Sequence, residues 1–156
     1  MILSVMSSSF YILILGQLLT DGDIMRLKSW KGDYLNRPDT ENGVTMSSTG
    51  VGTTWKVVRT DRTIQLKSWK GDFLNRPNTD IWSSLPKITT GPTGPGSSWT
   101  VTWIGNKTSF RSWKGDCLHR PASGGVTTWH TGIGNRWSVE IIKKGELGEY
   151  QNSSER

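Results

Sequence analysis

Near its amino end the chain reads Leu27-Lys-Ser-Trp-Lys-Gly-Asp-Tyr-Leu-Asn-Arg-Pro38. The same pattern returns as Leu66-Lys-Ser-Trp-Lys-Gly-Asp-Phe-Leu-Asn-Arg-Pro77 and as Phe110-Arg-Ser-Trp-Lys-Gly-Asp-Cys-Leu-His-Arg-Pro121. The tryptophans of the three segments, Trp30, Trp69 and Trp113, are 39 and 44 residues apart. Matches of this length do not arise by chance, so the chain contains three copies of one structural unit.

A second pattern, centred on another tryptophan, ends each copy. In the first and third copies it aligns without a gap, as Gly43-Val-Thr…Trp55-Lys-Val and Gly125-Val-Thr…Trp137-Ser-Val. The middle copy ends in Ser98-Trp-Thr-Val101, after a loop rich in glycine and proline. The body of the chain, residues 24–142, therefore divides into repeats of about residues 24–61, 62–105 and 106–142.

Each copy predicts four short strands rather than helices. In the first copy, Lys31-Gly32 is predicted as a two-residue hairpin turn, because glycine adopts a positive φ at little cost. No segment shows a sustained helical period with caps. The four predicted strands of the first copy are Arg26–Trp30, Asp33–Arg37, Val44–Ser48 and Thr54–Arg59.

Three copies of four strands narrow the fold to one class. A propeller needs at least about four blades, so three copies exclude it. Three hairpin-rich units can instead close into a six-stranded barrel capped by three hairpins, which is the β-trefoil. The sequence therefore predicts an all-β protein, a β-trefoil of three four-stranded repeats with pseudo-threefold symmetry.

Tryptophan has to supply much of the core. Hydrophobic residues make up 33% of the 156 residues, below the roughly 45–50% of an average soluble domain, a figure that also counts glycine. There are nine tryptophans, and each can bury roughly 150–250 Å². The apolar positions shared by all copies are predicted to form the core: Leu27, Leu66 and Phe110; Leu35, Leu74 and Leu118; Val57, Val101 and Val139; and Trp55, Trp99 and Trp137.

Few residues suit metal or redox chemistry. Cys117 is the single cysteine, which excludes an intrachain disulfide framework and a cysteine-based zinc site. It replaces Tyr34 and Phe73 of the other copies and is predicted to be a small buried residue. His119 and His130 have no carboxylate cluster nearby in the sequence, so neither a metal nor a cofactor is expected.

The repeated segments resemble the fascin-like, or actin-crosslinking, branch of the β-trefoils, which includes fascin and hisactophilin. Repeats of that family open with a segment like Leu27-Lys-Ser…Gly32-Asp-Tyr-Leu35 and close with a tryptophan before an alternating strand, like Trp137-Ser-Val-Glu140. The resemblance covers the whole body of the chain and implies the trefoil fold, with actin as a partner. The closing tryptophans are also similar in position to the Gln-x-Trp signature of ricin-type lectin trefoils, although the glutamine is replaced by Thr53, Ser97 and Asn135.

Certain polar residues are unchanged in all three copies, whereas the loops between them differ. They are the Lys-Gly-Asp that follows each opening tryptophan and the Arg-Pro that ends each opening segment. A structural interpretation is that Asp33 caps the turn and that Arg37 pairs with Asp33 across Leu35 on one strand face. Arg-Pro would then simply end the strand pairing.

A functional interpretation assigns the same residues to sugar binding. An indole face packs on the apolar face of a pyranose, while carboxylate and guanidinium groups hydrogen-bond its hydroxyls. Trp30 is expected to be partly exposed, because it lies on the opposite pleat from Leu27. The candidate ligand-binding residues are Trp30, Lys31, Asp33 and Arg37; Trp69, Lys70, Asp72 and Arg76; Trp113, Lys114, Asp116 and Arg120; and, in the third copy alone, Trp129 and His130.

The function favoured by these residues is that of a non-enzymatic, lectin-like carbohydrate-binding protein with up to three weak sites, and its partners would be glycans or glycoproteins. Each site would bind with an affinity on the order of millimolar, strengthened by avidity on a dense glycan. The third site is expected to be the best, because it gains Trp129.

Two other functions stay open. Actin binding or bundling follows from the fascin-like resemblance and suits the net charge of +6. Binding of a sulphated glycan through Lys28, Lys31, Arg37 and their copies rests on charge alone. An enzyme is not expected, because no catalytic set clusters in the sequence and Asp33, Asp72 and Asp116 fall one per repeat. Nucleic acid is not favoured either, since no recognised motif is present.

The two ends of the chain differ from the body. Residues 1–23 begin with an uncharged segment whose apolar centre, residues 10–19, is too short to span a bilayer. Its length suits either a secretory signal peptide or a spurious extension that precedes a true start at Met25. The protein is therefore predicted to be secreted in the first case and cytoplasmic in the second. Residues 143–156 form a polar tail that is expected to be disordered.

Overall fold

The computed structural model describes residues 19–39, 43–79 and 86–145, which form twelve short strands and three 3-10 turns without an α-helix in these ranges. The 3-10 turns are Val51–Thr53, Pro95–Ser97 and Ile133–Asn135. The strands are β1 (Ile24–Lys28), β2 (Tyr34–Asn36), β3 (Thr45–Ser47), β4 (Trp55–Thr60), β5 (Thr63–Lys67), β6 (Phe73–Asn75), β7 (Thr89–Gly91), β8 (Thr100–Ile104), β9 (Lys107–Arg111), β10 (Cys117–His119), β11 (Thr127–Trp129) and β12 (Ser138–Lys143).

Six of the strands, two from each repeat, close into a barrel. Strand β1 pairs antiparallel with both β4 and β12. Strand β4 also pairs with β5, and β8 pairs with β9. The two remaining joints are single bridges, Ile64 to Trp99 and Thr108 to Trp137, at the starts of β8 and β12. These contacts complete the ring.

Three hairpins, β2–β3, β6–β7 and β10–β11, form the cap. They contact one another across the repeats. Gly43 forms a bridge with Thr89, and the backbone N–H of Ile88 donates to the carbonyl of Val126 at 3.3 Å. A six-stranded barrel with a triplet of hairpins is the β-trefoil, and the predicted fold class is confirmed.

The closing tryptophans lie in the centre of the core. All three are fully buried, as predicted. Each indole N–H needs an acceptor once it leaves water, and each donates to a leucine carbonyl of its own copy at 3.0–3.1 Å. The donor and acceptor pairs are Trp55 with Leu35, Trp99 with Leu74, and Trp137 with Leu118.

The other predicted core positions are buried with two exceptions. Val101 and Val139 are only partly buried and pack against the edge of the core. Their counterpart Val57 is fully buried. The first copy therefore packs more tightly around this position than the other two.

The opening hairpin has a longer turn than predicted. Strands β1 and β2 share a single residue pair, Lys28 with Tyr34. The connection spans residues 29–33, and the backbone N–H of Ser29 donates to the carbonyl of Asp33 at 2.7 Å. Gly32 has a φ of +91°, so the glycine is needed where the sequence predicted it.

The folded body also includes residues just before β1. Leu19 belongs to the core, and its carbonyl accepts a hydrogen bond from Arg59 at 3.0 Å. Asp23 is fully buried and pairs with Lys144 at 2.9 Å. The structure therefore extends the ordered body to residues 19–23, which precede the predicted boundary at residue 24.

Two of the sequence predictions fall on segments outside the described residues. Residues 1–18 contain nearly all of the predicted signal-like extension, and residues 146–156 contain most of the predicted polar tail. Both stay predictions.

Candidate ligand site at the seams between repeats

Each repeat is joined to the next by its repeated arginine. The Arg37 guanidinium pairs with the Asp72 carboxylate at 2.8 Å, and Arg76 pairs with Asp116 at 2.8 Å. Arg120 closes the circle on Asp33 at 2.7 Å. We call these contacts the 1–2 seam, the 2–3 seam and the 3–1 seam, after the repeats that they join. The expected pairing of Arg37 with Asp33 is wrong, because each arginine reaches the following repeat instead.

The three ion pairs differ in burial. At the 2–3 seam, the side chains of Arg76 and Asp116 expose 1% and 3% of their surface, whereas at the 3–1 seam those of Arg120 and Asp33 expose 12% and 25%. The hydrogen bonds from the cap hairpins to the carboxylates differ as well. Thr128 donates to Asp116 at 2.8 Å, but Met46 occupies the corresponding register position beside Leu35 and has no hydroxyl to offer Asp33.

The carboxylates of the seams are stabilised in their charged form. Burial alone would raise the pKa of Asp116, but hydrogen bonds from Arg76, Ser112 and Thr128 outweigh it and hold that pKa below its usual value of 3.8. The pKa values of Asp33 and Asp72 are lowered by the same balance. All three carboxylates therefore stay ionised and paired at neutral pH.

The opening tryptophans are part of the same seams. The Trp30 indole N–H donates to the Arg120 carbonyl at 2.8 Å. Trp69 and Trp113 donate to the carbonyls of Arg37 and Arg76 at 2.9 and 3.0 Å. Between 41% and 44% of each of these tryptophans is exposed, which confirms the predicted partial exposure of Trp30. Each exposed indole is therefore held in one orientation.

The lysine after each tryptophan also reaches the preceding repeat. Lys31 Nζ donates to the Ala122 carbonyl at 2.9 Å, Lys70 Nζ contacts Asp39 Oδ1 at 2.6 Å, and Lys114 Nζ contacts Asn78 Oδ1 at 2.7 Å. Each ammonium also lies 5.3–5.6 Å from the ring centroid of its neighbouring tryptophan, within cation–π range.

These contacts separate the predicted site residues into two groups. The aspartates and arginines pair with each other at the seams. Arg76 and Asp116 are in addition almost fully buried, so a ligand at the surface does not reach these two side chains. This burial argues against the predicted role of the pair in hydrogen-bonding a sugar, a role that stays a prediction. The tryptophans and lysines stay at the surface, where a ligand can reach them.

The 3–1 seam carries an apolar cleft of about 440 Å³. Trp30 forms one part of its lining and Trp129 another, each about 41% exposed. Pro121 and Ile133 add apolar surface between the two repeats, and His119 also lines the cleft. Trp129 thus shares a cleft with the first copy's Trp30 and not with Trp113 of its own copy.

In the third copy, the large and the small residue of one register pair in the cap hairpin have changed strands, and Trp129 is the large one. It is the register partner of Cys117, whereas Tyr34 pairs with Ser47 and Phe73 pairs with Gly91. Two copies therefore carry the large ring on the first strand of the cap hairpin, and the third carries it on the second strand. Cys117 is half-buried and not fully buried as predicted. Tyr34 and Phe73 are half-buried too, because in all three copies this position lies on the strand face opposite the buried leucine that follows it.

The two histidines take different positions. His119 Nδ1 lies 2.6 Å from Asn135 Oδ1 at the side of the cleft. His130 is exposed, and its ring centroid lies 6.0 Å from that of Trp129. The sequence singled out His130 but missed His119 as a cleft residue; the place of His119 just before Arg120 was the available signal.

The described residues hold neither a cluster of metal-binding side chains nor a membrane-spanning helix. Residues 19–39, 43–79 and 86–145 contain no group of three or more histidine, cysteine, aspartate or glutamate side chains able to hold a metal ion. Across those same ranges, no helix is long and apolar enough to cross a membrane.

Comparison with known proteins identifies the class of fold. The chain is a β-trefoil. No protein-family model matches its sequence, and no curated protein does either. Similarity is found to solved structures, with identities below 25% that establish the fold alone.

Three of these structures show the range of proteins that share the fold. A Polyporus squamosus lectin bound to Neu5Aca2-6Galb1-4GlcNAc is 15% identical with a TM-score of 0.68, over 80% of this chain and 51% of the lectin chain. The BEL β-trefoil is 16% identical with a TM-score of 0.64, over 79% of this chain and 95% of its own. A Clostridium perfringens GlcNAcα1-4Gal-releasing endo-β-galactosidase is 14% identical with a TM-score of 0.65, over 78% of this chain; the match spans only 33% of that enzyme.

Proposed function

We propose that this protein is a non-enzymatic carbohydrate-binding β-trefoil whose principal site is the cleft between Trp30 and Trp129. The observation that carries the proposal is the pair of exposed indoles that line one apolar cleft of about 440 Å³. Aromatic faces are the protein surfaces that best complement the C–H face of a pyranose. A solved structure of similar fold, the Polyporus lectin, carries a bound oligosaccharide, which is consistent with this use of the fold.

The fixed orientation of Trp30 favours binding. Its indole N–H is satisfied by the Arg120 carbonyl, and Lys31 is tied to Ala122, so the side chain does not have to be ordered when a ligand arrives. Binding sites that are ordered in advance lose less conformational entropy on association. Trp69 and Trp113 are held in the same way and would serve as weaker second and third sites, with Lys70 and Lys114 beside them.

A glycan array followed by titration calorimetry tests the proposal. The variant Trp129→Ser places the residue of the first copy, Ser47, at this position and should lower the affinity for the best neutral glycan about tenfold, which corresponds to about 1.4 kcal/mol. Trp30→Ala should have an effect of similar size, because it removes the facing indole.

A matched control separates binding from folding. Trp113→Ala removes an equivalent hydrogen bond to an arginine carbonyl but leaves the cleft intact, so it should remove only the weaker site beside Trp113 and keep the affinity of the principal site. If the wild-type protein binds no glycan, or if Trp30→Ala binds as well as the wild type, the proposal is wrong. Co-sedimentation with actin filaments in the absence of glycan binding would favour the actin alternative, which rests on the resemblance and the basic charge alone.

A further inference from the structure

A second cleft, of about 420 Å³, lies beside Trp69 where β4 and β5 run together. Three lysines, Lys56, Lys67 and Lys70, line it with Trp69. The cleft lining includes no aspartate or glutamate. We call it the basic cleft. It differs in charge from the apolar cleft at the 3–1 seam.

Two lysines of the basic cleft oppose each other directly. Lys56 and Lys67 are register partners on neighbouring antiparallel strands, and both are exposed. Like charges in this position repel and destabilise a sheet. Within the described residues, neither lysine forms an ion pair with a carboxylate, whereas Lys70 is paired with Asp39. The fold therefore maintains a local positive charge that it does not neutralise.

The pseudo-threefold symmetry shows that the barrel does not require this pair. The corresponding register partners are Thr100 with Arg111 on β8 and β9, and Ser138 with Lys28 on β12 and β1. One member of each pair is cationic in all three copies, namely Lys67, Arg111 and Lys28. Only Lys67 has a second cation, Lys56, opposite it. A lysine at this position has a cost in stability and no counterpart in the other copies, which points to a ligand.

We propose that the basic cleft binds the sulfate or carboxylate group of an acidic sugar. Lys56 and Lys67 donate charged hydrogen bonds to the anion, which also removes their mutual repulsion. Trp69, held by its hydrogen bond to the Arg37 carbonyl at 2.9 Å, contacts the sugar ring. This inference rests on the proposed function only in that the anion is carried by a sugar.

Calorimetry with oligosaccharides of defined charge tests the inference. The probes are a heparin-derived tetrasaccharide, which carries sulfates, a hyaluronan tetrasaccharide, which carries carboxylates alone, and neutral chitotetraose. We expect Lys56→Thr/Lys67→Thr to weaken binding of at least one acidic probe about tenfold and to leave chitotetraose unaffected. Because the heparin-derived tetrasaccharide also carries carboxylates, a loss of affinity for it alone assigns the cleft to sulfate. A loss of affinity for the hyaluronan tetrasaccharide as well assigns the cleft to carboxylate. Binding should also weaken as ionic strength rises.

Three other variants make the test specific. Lys87→Thr/Arg62→Thr removes the same net charge at exposed positions outside the basic cleft and should leave the affinity for the acidic probe within about twofold. Thr100→Lys recreates the cation pair opposite Arg111, beside Trp113, and should add a second acidic site. Trp129→Ser should leave acidic binding intact, which separates this inference from the function proposed above.

Three outcomes would overturn the inference. The first is unchanged affinity of Lys56→Thr/Lys67→Thr for both acidic probes. The second is an equal loss of affinity in the control that removes charge elsewhere, which would indicate a diffuse charge effect. The third is tighter binding of a duplex oligonucleotide than of either acidic probe at the same ionic strength, which would assign the basic cleft to nucleic acid.

Discussion

Arg76 and Asp116 form an ion pair at 2.8 Å that is almost entirely shielded from water, with 1% and 3% of their side chains exposed. The arginine lies next to the end of the opening segment of the second repeat, and the aspartate is the last residue of the opening turn of the third. Exposed ion pairs contribute little to stability because water screens them. This one is different, because either partner alone would be a charge buried without compensation.

Removal of Asp116 should therefore destabilise the protein strongly. We expect Asp116→Asn to lower the free energy of unfolding by about 3 kcal/mol or more. The equivalent Asp33→Asn should cost about 1–2 kcal/mol, because water reaches the more exposed 3–1 seam. Urea denaturation of the two variants gives the comparison. Equal losses would show that burial does not set the strength of the seams.

The double variant Arg76→Met/Asp116→Leu checks the cause of that loss. Replacing both charges with apolar side chains of similar size leaves no unpaired charge, so it should recover most of the stability that Asp116→Asn loses. If the double variant is as unstable as the single one, the seam stabilises the fold through its geometry and not through charge compensation.

The stability of the protein should depend on pH in the acid range. The pKa values of Asp33, Asp72 and Asp116 are lowered in the folded state, so the unfolded chain binds protons first as the pH falls. The contribution of the seams is therefore complete above about pH 5 and is lost progressively below about pH 4. Thermal unfolding followed across this range should show a constant Tm at neutral pH and a steep fall in acid.

The variant Asp72→Asn provides the control for the pH dependence. It removes one of the three carboxylates whose pKa is lowered, so its Tm should be lower at neutral pH and should fall less steeply in acid. An acid fall as steep as that of the wild type would assign the pH dependence to groups outside the seams.

The glycines of the 3-10 turns should be intolerant of substitution. A Cβ on Gly96 would lie 2.5 Å from the Arg76 carbonyl oxygen and 2.3 Å from Asn75 Oδ1. We expect Gly96→Ala to destabilise the fold by about 1–3 kcal/mol, since the backbone has to move. Gly94, which directly precedes this turn, has an extended φ of 174° and open space around a Cβ, so Gly94→Ala should be nearly neutral. Chemical denaturation of Gly96→Ala and Gly94→Ala tests whether the close approach of residue 96 to the Arg76 carbonyl is what excludes a side chain there.

The lysine pair of the basic cleft should lower the free energy of unfolding of the protein. Lys56→Thr introduces the residue of the second repeat and relieves the repulsion with Lys67, so we expect the free energy of unfolding to rise by about 0.2–1 kcal/mol. Thr100→Lys, opposite Arg111, should lower it by a similar amount. Both effects should shrink at high salt, and opposite signs in either variant would contradict the assigned repulsion.

The repeat pattern made the fold predictable from the sequence. Trp55 and its two counterparts identify the closing strand of each copy, and the regular alternation around them defines which residues face the core. The length of the opening turn was harder to predict. It depends on the hydrogen bond between Ser29 and the Asp33 carbonyl, which ends the strand pairing at Lys28.

The seams could not be predicted because they are contacts between copies. Within one repeat, Asp33 and Arg37 are four residues apart, a spacing that predicts a pair on one face of a strand. The structure instead separates the partners by 35, 40 and 87 residues along the chain, and nothing in the local pattern states which copy an arginine faces. The sequence marks Trp129 as unusual in its copy, but its cleft with Trp30 depends on the same closure of the barrel.

The direction of the seams has a consequence for how many repeats the fold can hold. Every repeat presents an arginine on one side and an aspartate on the other, which is a head-to-tail contact of the kind that builds either a closed ring or an open filament. Here the circle closes after three units, when Arg120 meets Asp33. An open array of any number of such repeats would leave one arginine and one aspartate at its ends without seam partners. It is therefore the closure of the ring, which this barrel reaches with its third repeat, that pairs every one of these charges.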